Sequence, residues 1–118
     1  MKSPISIFLD AYIQAALWSS SDDNDTPLNE TYNAGDISGD LMDKMIQDCC
    51  AFFTESKLPA NMISQAGHDF WLTRNGHGTG FWDKPEIYGE ARAQELSKLA
   101  EKFGALDLYV GDDGSIYG

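Results

Sequence analysis

The sequence predicts an α+β fold in which three helices pack on one face of a small antiparallel sheet made from two hairpins. Two observations favour this class. Three stretches repeat apolar residues at the 3–4 spacing of an amphipathic helix, and two stretches of strand-forming residues each enclose a glycine-containing turn. The chain of 118 residues has the usual length of one domain, so we expect residues 1–118 to form a single acidic α+β domain.

Capping residues and apolar spacing together predict the first two helices. Ser3 followed by Pro4 is a typical helix start, and the apolar repeat continues to about Trp18. A second helix is predicted from Ser38 to about Ser56, with one face in the core and the opposite face acidic. The core face holds Leu41, Met45, Cys49 and Phe52, and the acidic face holds Asp36, Asp40, Asp43 and Gln47.

Residues 19–36, between these two helices, predict a long acidic loop. A loop of about 18 residues is long enough to indicate a functional role or mobility. The acids that begin at Asp22 resemble the start of a calcium loop, but Pro27 stands where an EF-hand requires glycine. We therefore predict no EF-hand here and expect only weak, nonspecific binding of cations.

The first hairpin is predicted within residues 68–82. Residues 68–74 favour a strand, Asn75-Gly76 is a frequent hairpin turn, and residues 79–82 are expected to return as the second strand. We expect one aromatic face of this hairpin to cover the helices. Core packing is the favoured interpretation of the other face, and exposure is the alternative, which would make Trp71 and Trp82 candidate anchors for a partner.

The C-terminal third predicts one more helix and the second hairpin. Helical spacing covers about residues 86–103, and Gly104 is placed to close the helix. Residues 106–110 alternate as a strand, and residues 111–114 turn the chain back into residues 115–117. Two hairpins are expected to join in one sheet.

The net charge restricts the classes of partner. Nineteen Asp and Glu face eight Lys and Arg, which gives a formal net charge of −11. Such a field repels free nucleic acid and anionic membranes and attracts basic surfaces. No stretch approaches the roughly 20 apolar residues of a membrane helix, and the N-terminus lacks the pattern of a secretory signal. We therefore expect a cytoplasmic protein.

A small set of Cys, His and Asp residues raises the question of catalysis or metal binding. A thiol nucleophile needs an imidazole beside it, and zinc sites need ligand pairs a few residues apart, which the adjacent Cys49 and Cys50 do not provide. His68, Asp69 and His77 complete the set. We predict no catalytic residue, no metal ligand and no cofactor, and a small Cys/His enzyme is the least favoured alternative.

Two blocks of the sequence carry a resemblance to a known group. AGHDFWLTRNGHG at residues 66–78, continued by GFWD at residues 80–83, and LYVGDDG at residues 108–114 cover about a quarter of the chain. Both blocks resemble segments of small uncharacterised bacteriophage and prophage proteins. The resemblance implies a phage or another mobile element as the source and carries over no catalytic residue.

Acidity and the implied source together predict a phage-borne inhibitor or adaptor that binds a basic surface of a host defence complex. The target would be of the CRISPR or restriction type, and the carboxylates would imitate the phosphates of a nucleic acid. One alternative is a homo-oligomeric accessory protein that pairs through the aromatic hairpin, and another is that the acids serve solubility alone. The predicted partner-binding residues are Asp22, Asp23, Asp25, Asp36, Asp40, Asp43, Trp71 and Trp82.

Overall fold

The computed structural model describes residues 3–22, 24–76 and 80–118, and for Trp82 and Pro85 it describes the backbone alone. Most of these residues are helical. The helices are α1 (Pro4–Ser19), α2 (Leu28–Thr31), α3 (Gly39–Ser56), α4 (Ile63–Arg74), α5 (Pro85–Tyr88) and α6 (Glu90–Glu101). The strands are β1 (Tyr109–Val110) and β2 (Ile116–Tyr117), and short 3-10 turns occupy Ala34–Asp36, Ala60–Met62 and Phe81–Asp83.

The predictions for α1 and α3 are confirmed, including their N-caps. The Ser3 hydroxyl accepts a hydrogen bond from the backbone of Ser6 at 3.3 Å, and the Ser38 hydroxyl accepts one from Leu41 at 3.2 Å. These bonds satisfy N–H groups that a helix start leaves without a partner. The predicted core face of α3 is buried, and Asp40 and Asp43 on its opposite face are exposed.

The predicted loop between these helices contains more regular structure than expected. It holds the four-residue helix α2 and the 3-10 turn Ala34–Asp36. Leu28 at the start of α2 is fully buried and anchors the segment in the core.

The first predicted hairpin is wrong, because residues 68–74 are the C-terminal part of helix α4. The helix ends at Asn75-Gly76, where Gly76 has a φ of 76°. A glycine of this conformation after the last helical residues closes a helix as readily as it makes a hairpin turn. The expected return strand is also absent from its described part, since Phe81–Asp83 is a 3-10 turn, and residues 77–79 lie outside the described residues.

The predicted α+β fold class is therefore wrong, and the protein is mainly helical. Within the described residues the sheet consists of β1 and β2 alone, paired antiparallel. The error arises because α4 lies at the centre of the molecule and buries nine of its twelve residues. A helix buried on nearly every side shows no amphipathic period, and tertiary packing overrides the strand propensity of Phe, Trp and Thr.

The predicted third helix is divided in two, whereas the second hairpin is confirmed. Gly89 has a φ of 87° and separates α5 from α6, because this conformation is incompatible with a continuous right-handed helix. Tyr109 pairs with Tyr117, and Val110 pairs with Ile116. The hairpin also joins α3, since the backbone N–H of Ser38 donates to the Ile116 carbonyl at 2.9 Å.

An aromatic cluster between α1, α3 and α4 forms the centre of the core. The rings of Phe52 and Phe70 stack with centroids 4.2 Å apart and planes 10° apart. Phe8 contacts both rings, and Phe81 extends the stack from Phe52 at 5.6 Å. Such pairs add to the free energy gained by burying their apolar area.

None of the helices in the described residues has both the length and the apolar character needed to cross a bilayer.

Helices α1 and α4 approach each other closely because both carry small residues at their crossing. A Cβ atom placed on Gly67 would overlap the carbonyl oxygen of Phe8 and lie 3.0 Å from the Cβ of Ala11. Ala11 and Ala15 of α1 are buried. Glycine at residue 67 is therefore required by the distance between the two helices.

Arg74, at the end of α4, is the buried cation of the core. Its guanidinium donates to the Tyr12 hydroxyl and to Asp48 Oδ2, both at 2.8 Å, and to the carbonyl oxygens of Gly104 at 2.8 Å and Phe103 at 3.0 Å. These acceptors offset the cost of removing the charge from water. They belong to α1, α3 and the chain after α6, so one side chain connects three parts of the molecule to α4.

Gly67→Ala is expected to lower the free energy of unfolding by about 1–3 kcal/mol, because the added methyl group meets backbone that cannot move aside. Gly39→Ala is the matched control, since a Cβ atom there contacts nothing within 4 Å. This control is expected to be neutral or stabilising by up to about 1 kcal/mol. Urea unfolding followed by circular dichroism measures both, and equal stabilities would contradict the close crossing.

Arg74→Met is expected to cost about 3–5 kcal/mol, because it leaves the partly buried carboxylate of Asp48 without its strongest partner. Arg92→Met is the control, since Arg92 pairs with Glu95 at the surface and such pairs contribute about 0–1 kcal/mol. Tyr12→Phe removes one acceptor of the same guanidinium and is expected to cost about 1 kcal/mol. Urea unfolding at pH 7 compares the three, and a loss for Arg74→Met no larger than for Arg92→Met would be inconsistent with the network.

Candidate functional site

The predicted acids of the 19–36 segment build the local backbone as well as carrying charge. The Asp22 carboxylate accepts hydrogen bonds from the backbone of Asn24 at 2.9 Å and Thr26 at 3.0 Å, which closes a turn. Asp25 lies in this turn with a φ of 62° and is exposed. Asp23 lies outside the described residues. In the part of the chain that the structure describes, no hydrogen bond or ion pair joins this turn to the acids of α3.

The acids at the start of α3 face solvent. The carboxylate of Asp36 closes a capping box with Asn33, whose backbone N–H donates to it at 2.9 Å. Asp40 and Asp43 follow on the exposed face of α3. They are three residues apart, which places them next to each other on the helix surface.

The C-terminal hairpin brings two further carboxylates to the same region. Ile37 forms a bridge with Ile116 of β2, and Asp40 is close enough to Tyr117 to help raise the pKa of its hydroxyl. Asp112 and Asp113 lie in the exposed turn between the strands. We call this surface the acidic face. It consists of Asp36, Asp40, Asp43, Asp112 and Asp113.

Two stacked tyrosines lie beside these carboxylates. The rings of Tyr109 and Tyr117 have centroids 5.8 Å apart, and Tyr109 is 59% exposed. The Tyr117 hydroxyl donates to Asp113 Oδ2 at 2.6 Å. This bond lowers the pKa of the Asp113 carboxyl, with a smaller contribution from the Ser115 N–H, and raises the pKa of the Tyr117 hydroxyl. The sequence showed Asp112 and Asp113 only as turn residues, because the pairing of their hairpin with the start of α3 is a long-range contact.

The predicted aromatic anchors do not contribute to this surface. Trp71 is only 2% exposed, and its indole N–H donates to the Ser19 hydroxyl at 2.6 Å. The side chain therefore belongs to the core. For Trp82 the structure describes no side chain. The exposed tryptophan of the described chain is Trp18, which is 57% exposed at the end of α1.

A cleft lies between α1, the segment around α2 and the side of α4. It has a volume of about 600 Å³, within the range of ligand pockets. Its lining includes Ile13, Leu17 and Trp18 from α1, and Tyr32 and His68 add further aromatic surface. The rings of Trp18 and His68 have centroids 6.0 Å apart. The sequence did not indicate this cleft, because its walls come from three separate segments.

The residues considered for catalysis are placed unfavourably for it. Cys49 is fully buried, and desolvation raises the pKa of its thiol, which is the opposite of what a thiolate nucleophile requires. Asp69 is buried and is held by Lys84 Nζ at 2.8 Å and the Tyr88 hydroxyl at 2.7 Å. These contacts connect α4 to α5, and Asp69 does not line the cleft beside α1.

Of the rest of that set, Cys50 is exposed, and His77 lies outside the described residues. Within the described part of the chain, no group of three His, Cys, Asp or Glu side chains is arranged to hold a metal ion.

Comparison with known proteins gives no relative: no family model, curated protein or solved structure matches the chain.

The hydrogen bond between Tyr117 and Asp113 makes a prediction for pH titration. We expect the Asp113 carboxyl to titrate below its ordinary pKa of 3.8, and Tyr117→Phe to raise that pKa towards 3.8. Since the folded-state pKa is lowered, the stabilisation is present above pH 3.8 and is lost as the pH falls through the folded value. Carboxyl chemical shifts measured by NMR test this, with Asp112 as the internal control. An unchanged Asp113 titration in Tyr117→Phe would show that the bond is not formed in solution.

Proposed function

We propose that the chain is a binding protein whose acidic face docks on a basic surface of another macromolecule. The observation that carries this proposal is the placement of the charges. Among the described residues, Arg74 and Lys84 extend into the interior, and each pairs there with a carboxylate. Because each such pair is neutral, the whole net charge of −11 remains for the other residues.

The acidic face has the arrangement that electrostatic attraction requires. Asp40 and Asp43 share one face of α3, with about 5–6 Å between Cβ atoms at this spacing. The hairpin turn adds Asp112 and Asp113. Clustered carboxylates present the kind of negative charge that a basic nucleic-acid channel binds in a phosphate backbone. Such a field raises the rate of association with a basic partner and makes it depend on salt.

The stacked tyrosines supply a contact that does not depend on charge alone. Tyr109 and Tyr117 present ring surface next to carboxylates. Arginine side chains stack on such rings while their guanidinium groups bond to carboxylates. This pairing favours an arginine-rich protein surface over a simple cation atmosphere.

The partner that fits best is a nucleic-acid-binding defence complex of a bacterial host, with the chain as its inhibitor or adaptor. The resemblance of residues 66–83 and 108–114 to phage proteins supports a phage source, and the charge supports a target with a basic channel. The oligomeric alternative depended on an aromatic hairpin, and residues 68–74 of that segment are helical. It therefore lacks the surface on which it was based.

DNA displacement from purified CRISPR or restriction complexes tests this function. We expect the protein to release labelled DNA, with an inhibition constant that rises at least tenfold between 50 and 200 mM salt. The variant Asp40→Asn, Asp43→Asn, Asp112→Asn is expected to inhibit about tenfold less, at about 0.5 kcal/mol for each exposed carboxylate.

The control variant neutralises three other exposed acids, Glu86→Gln, Glu90→Gln and Glu101→Gln, and so changes the net charge equally. It is expected to lose less than threefold. Equal losses in the two variants would refute a defined acidic face. Inhibition that does not depend on salt, or no release from any complex, would refute the docking proposal itself.

A further inference from the structure

The cleft beside α1 gathers aromatic side chains from three separate segments. Trp18 lies near the end of α1, Tyr32 follows α2, and His68 belongs to α4. Trp18 is 57% exposed, whereas Tyr32 and His68 are partly buried. The rings of Trp18 and His68 have centroids 6.0 Å apart and planes 36° apart, which is the separation of an aromatic pair. The two rings therefore present adjoining aromatic surface to the cleft.

The inner part of the cleft is apolar. Ile13 and Leu17 also line it, and they are only 6% and 5% exposed. They are four residues apart and so are neighbours on the same side of α1. A molecule that fills the cleft would contact these two side chains at its deep end and would cover part of the exposed Trp18 ring.

The polar groups available to a ligand are side-chain amides. Gln14 and Asn29 line the cleft and are exposed, and each amide both donates and accepts hydrogen bonds. The Asn33 carbonyl oxygen is already occupied by the backbone N–H of Gly35 at 2.8 Å. Asp10 also lines the cleft, but it already interacts with another group of the protein. Recognition is therefore assigned to the rings and to the amides of Gln14 and Asn29.

This lining suits a flat ring whose edge carries hydrogen-bonding groups. Aromatic side chains stack on the face of a nucleobase, and amides pair with the donors and acceptors along its edge. A volume of about 600 Å³ is in the range that holds a drug-sized molecule, so a ring with a polar substituent fits. The net charge of −11 disfavours a phosphorylated form of such a molecule.

We infer that the cleft binds an uncharged, nucleoside-like small molecule, whose planar ring stacks on Trp18 and whose polar edge bonds to the amides of Gln14 and Asn29. None of the five carboxylates of the acidic face lines the cleft, so binding here is separate from the proposed function.

NMR titration of the whole protein at pH 7.5 tests this site with adenosine as the probe. We expect adenosine to shift the Trp18 indole N–H and the side-chain amides of Gln14 and Asn29. Two control ligands separate the parts of the probe. Ribose, which lacks the ring, is expected to cause no shift, and adenosine 5′-monophosphate is expected to bind at least threefold more weakly than adenosine because of its charge.

Variants of exposed residues separate binding from folding. Trp18→Ala is expected to weaken adenosine binding at least fivefold, whereas Trp18→Phe, which keeps a ring, is expected to lose less than threefold. Asn29→Ala is expected to lose about threefold, because it removes one hydrogen bond to the ring edge. Ile46→Ala is the control, since Ile46 is 40% exposed on α3 and does not line the cleft, and it is expected to bind adenosine unchanged.

Circular dichroism and urea unfolding establish that each variant is folded before its binding is compared. The site would be refuted if millimolar adenosine left the Trp18, Gln14 and Asn29 signals unshifted, or if Trp18→Ala bound adenosine as well as Ile46→Ala does. Equal binding of ribose would exclude stacking as the source of affinity. Tighter binding of adenosine 5′-monophosphate than of adenosine would contradict an uncharged ligand.

Discussion

The burial of Arg74 is the interaction on which the arrangement of the surface depends. Its guanidinium lies between the rings of Phe70 and Phe103 and donates hydrogen bonds to two carbonyls in the chain just after α6. The next residue, Asn75, accepts a hydrogen bond from the Leu106 N–H at 2.8 Å. These bonds fix the start of the segment that becomes the C-terminal hairpin. Because that hairpin then pairs with the residue before α3, the end of α4 determines where the hairpin acids meet the helix acids.

Sequence reasoning succeeded where a local signal decides the structure, and it failed at α4. Caps and one-sided periodicity located α1 and α3, and the glycines of residues 111–114 located the second hairpin. Helix α4 has no such signal, because a helix that is buried on nearly all sides does not repeat its apolar residues with the period of 3.6 residues that marks an amphipathic helix. Asn75-Gly76 is ambiguous, because the same positive φ at glycine serves a hairpin turn and a helix end. Only the packing of α1 against Gly67 resolves that ambiguity.

The sequence predicted the negative charge of the candidate site but not the full set of residues that form it. A surplus of carboxylates must face solvent, since an unpaired buried charge is too costly, and this alone locates Asp40 and Asp43 correctly. The joining of the hairpin acids to them depends on a contact between Ile37 and Ile116, which one sequence does not reveal. Trp71 was wrongly predicted as a partner-binding residue. In the assumed strand its side chain had two possible faces, one of them exposed, whereas in the central helix α4 it is surrounded by the core.

The pairing of buried charges stabilises the interior and also affects the electrostatic field at the surface. Buried Arg74 and Asp69 each need a partner of opposite sign, so equal numbers of acids and bases are withdrawn into pairs. Because Asp and Glu outnumber Lys and Arg, removing equal numbers of acids and bases into pairs raises the ratio of acids to bases among the residues that remain.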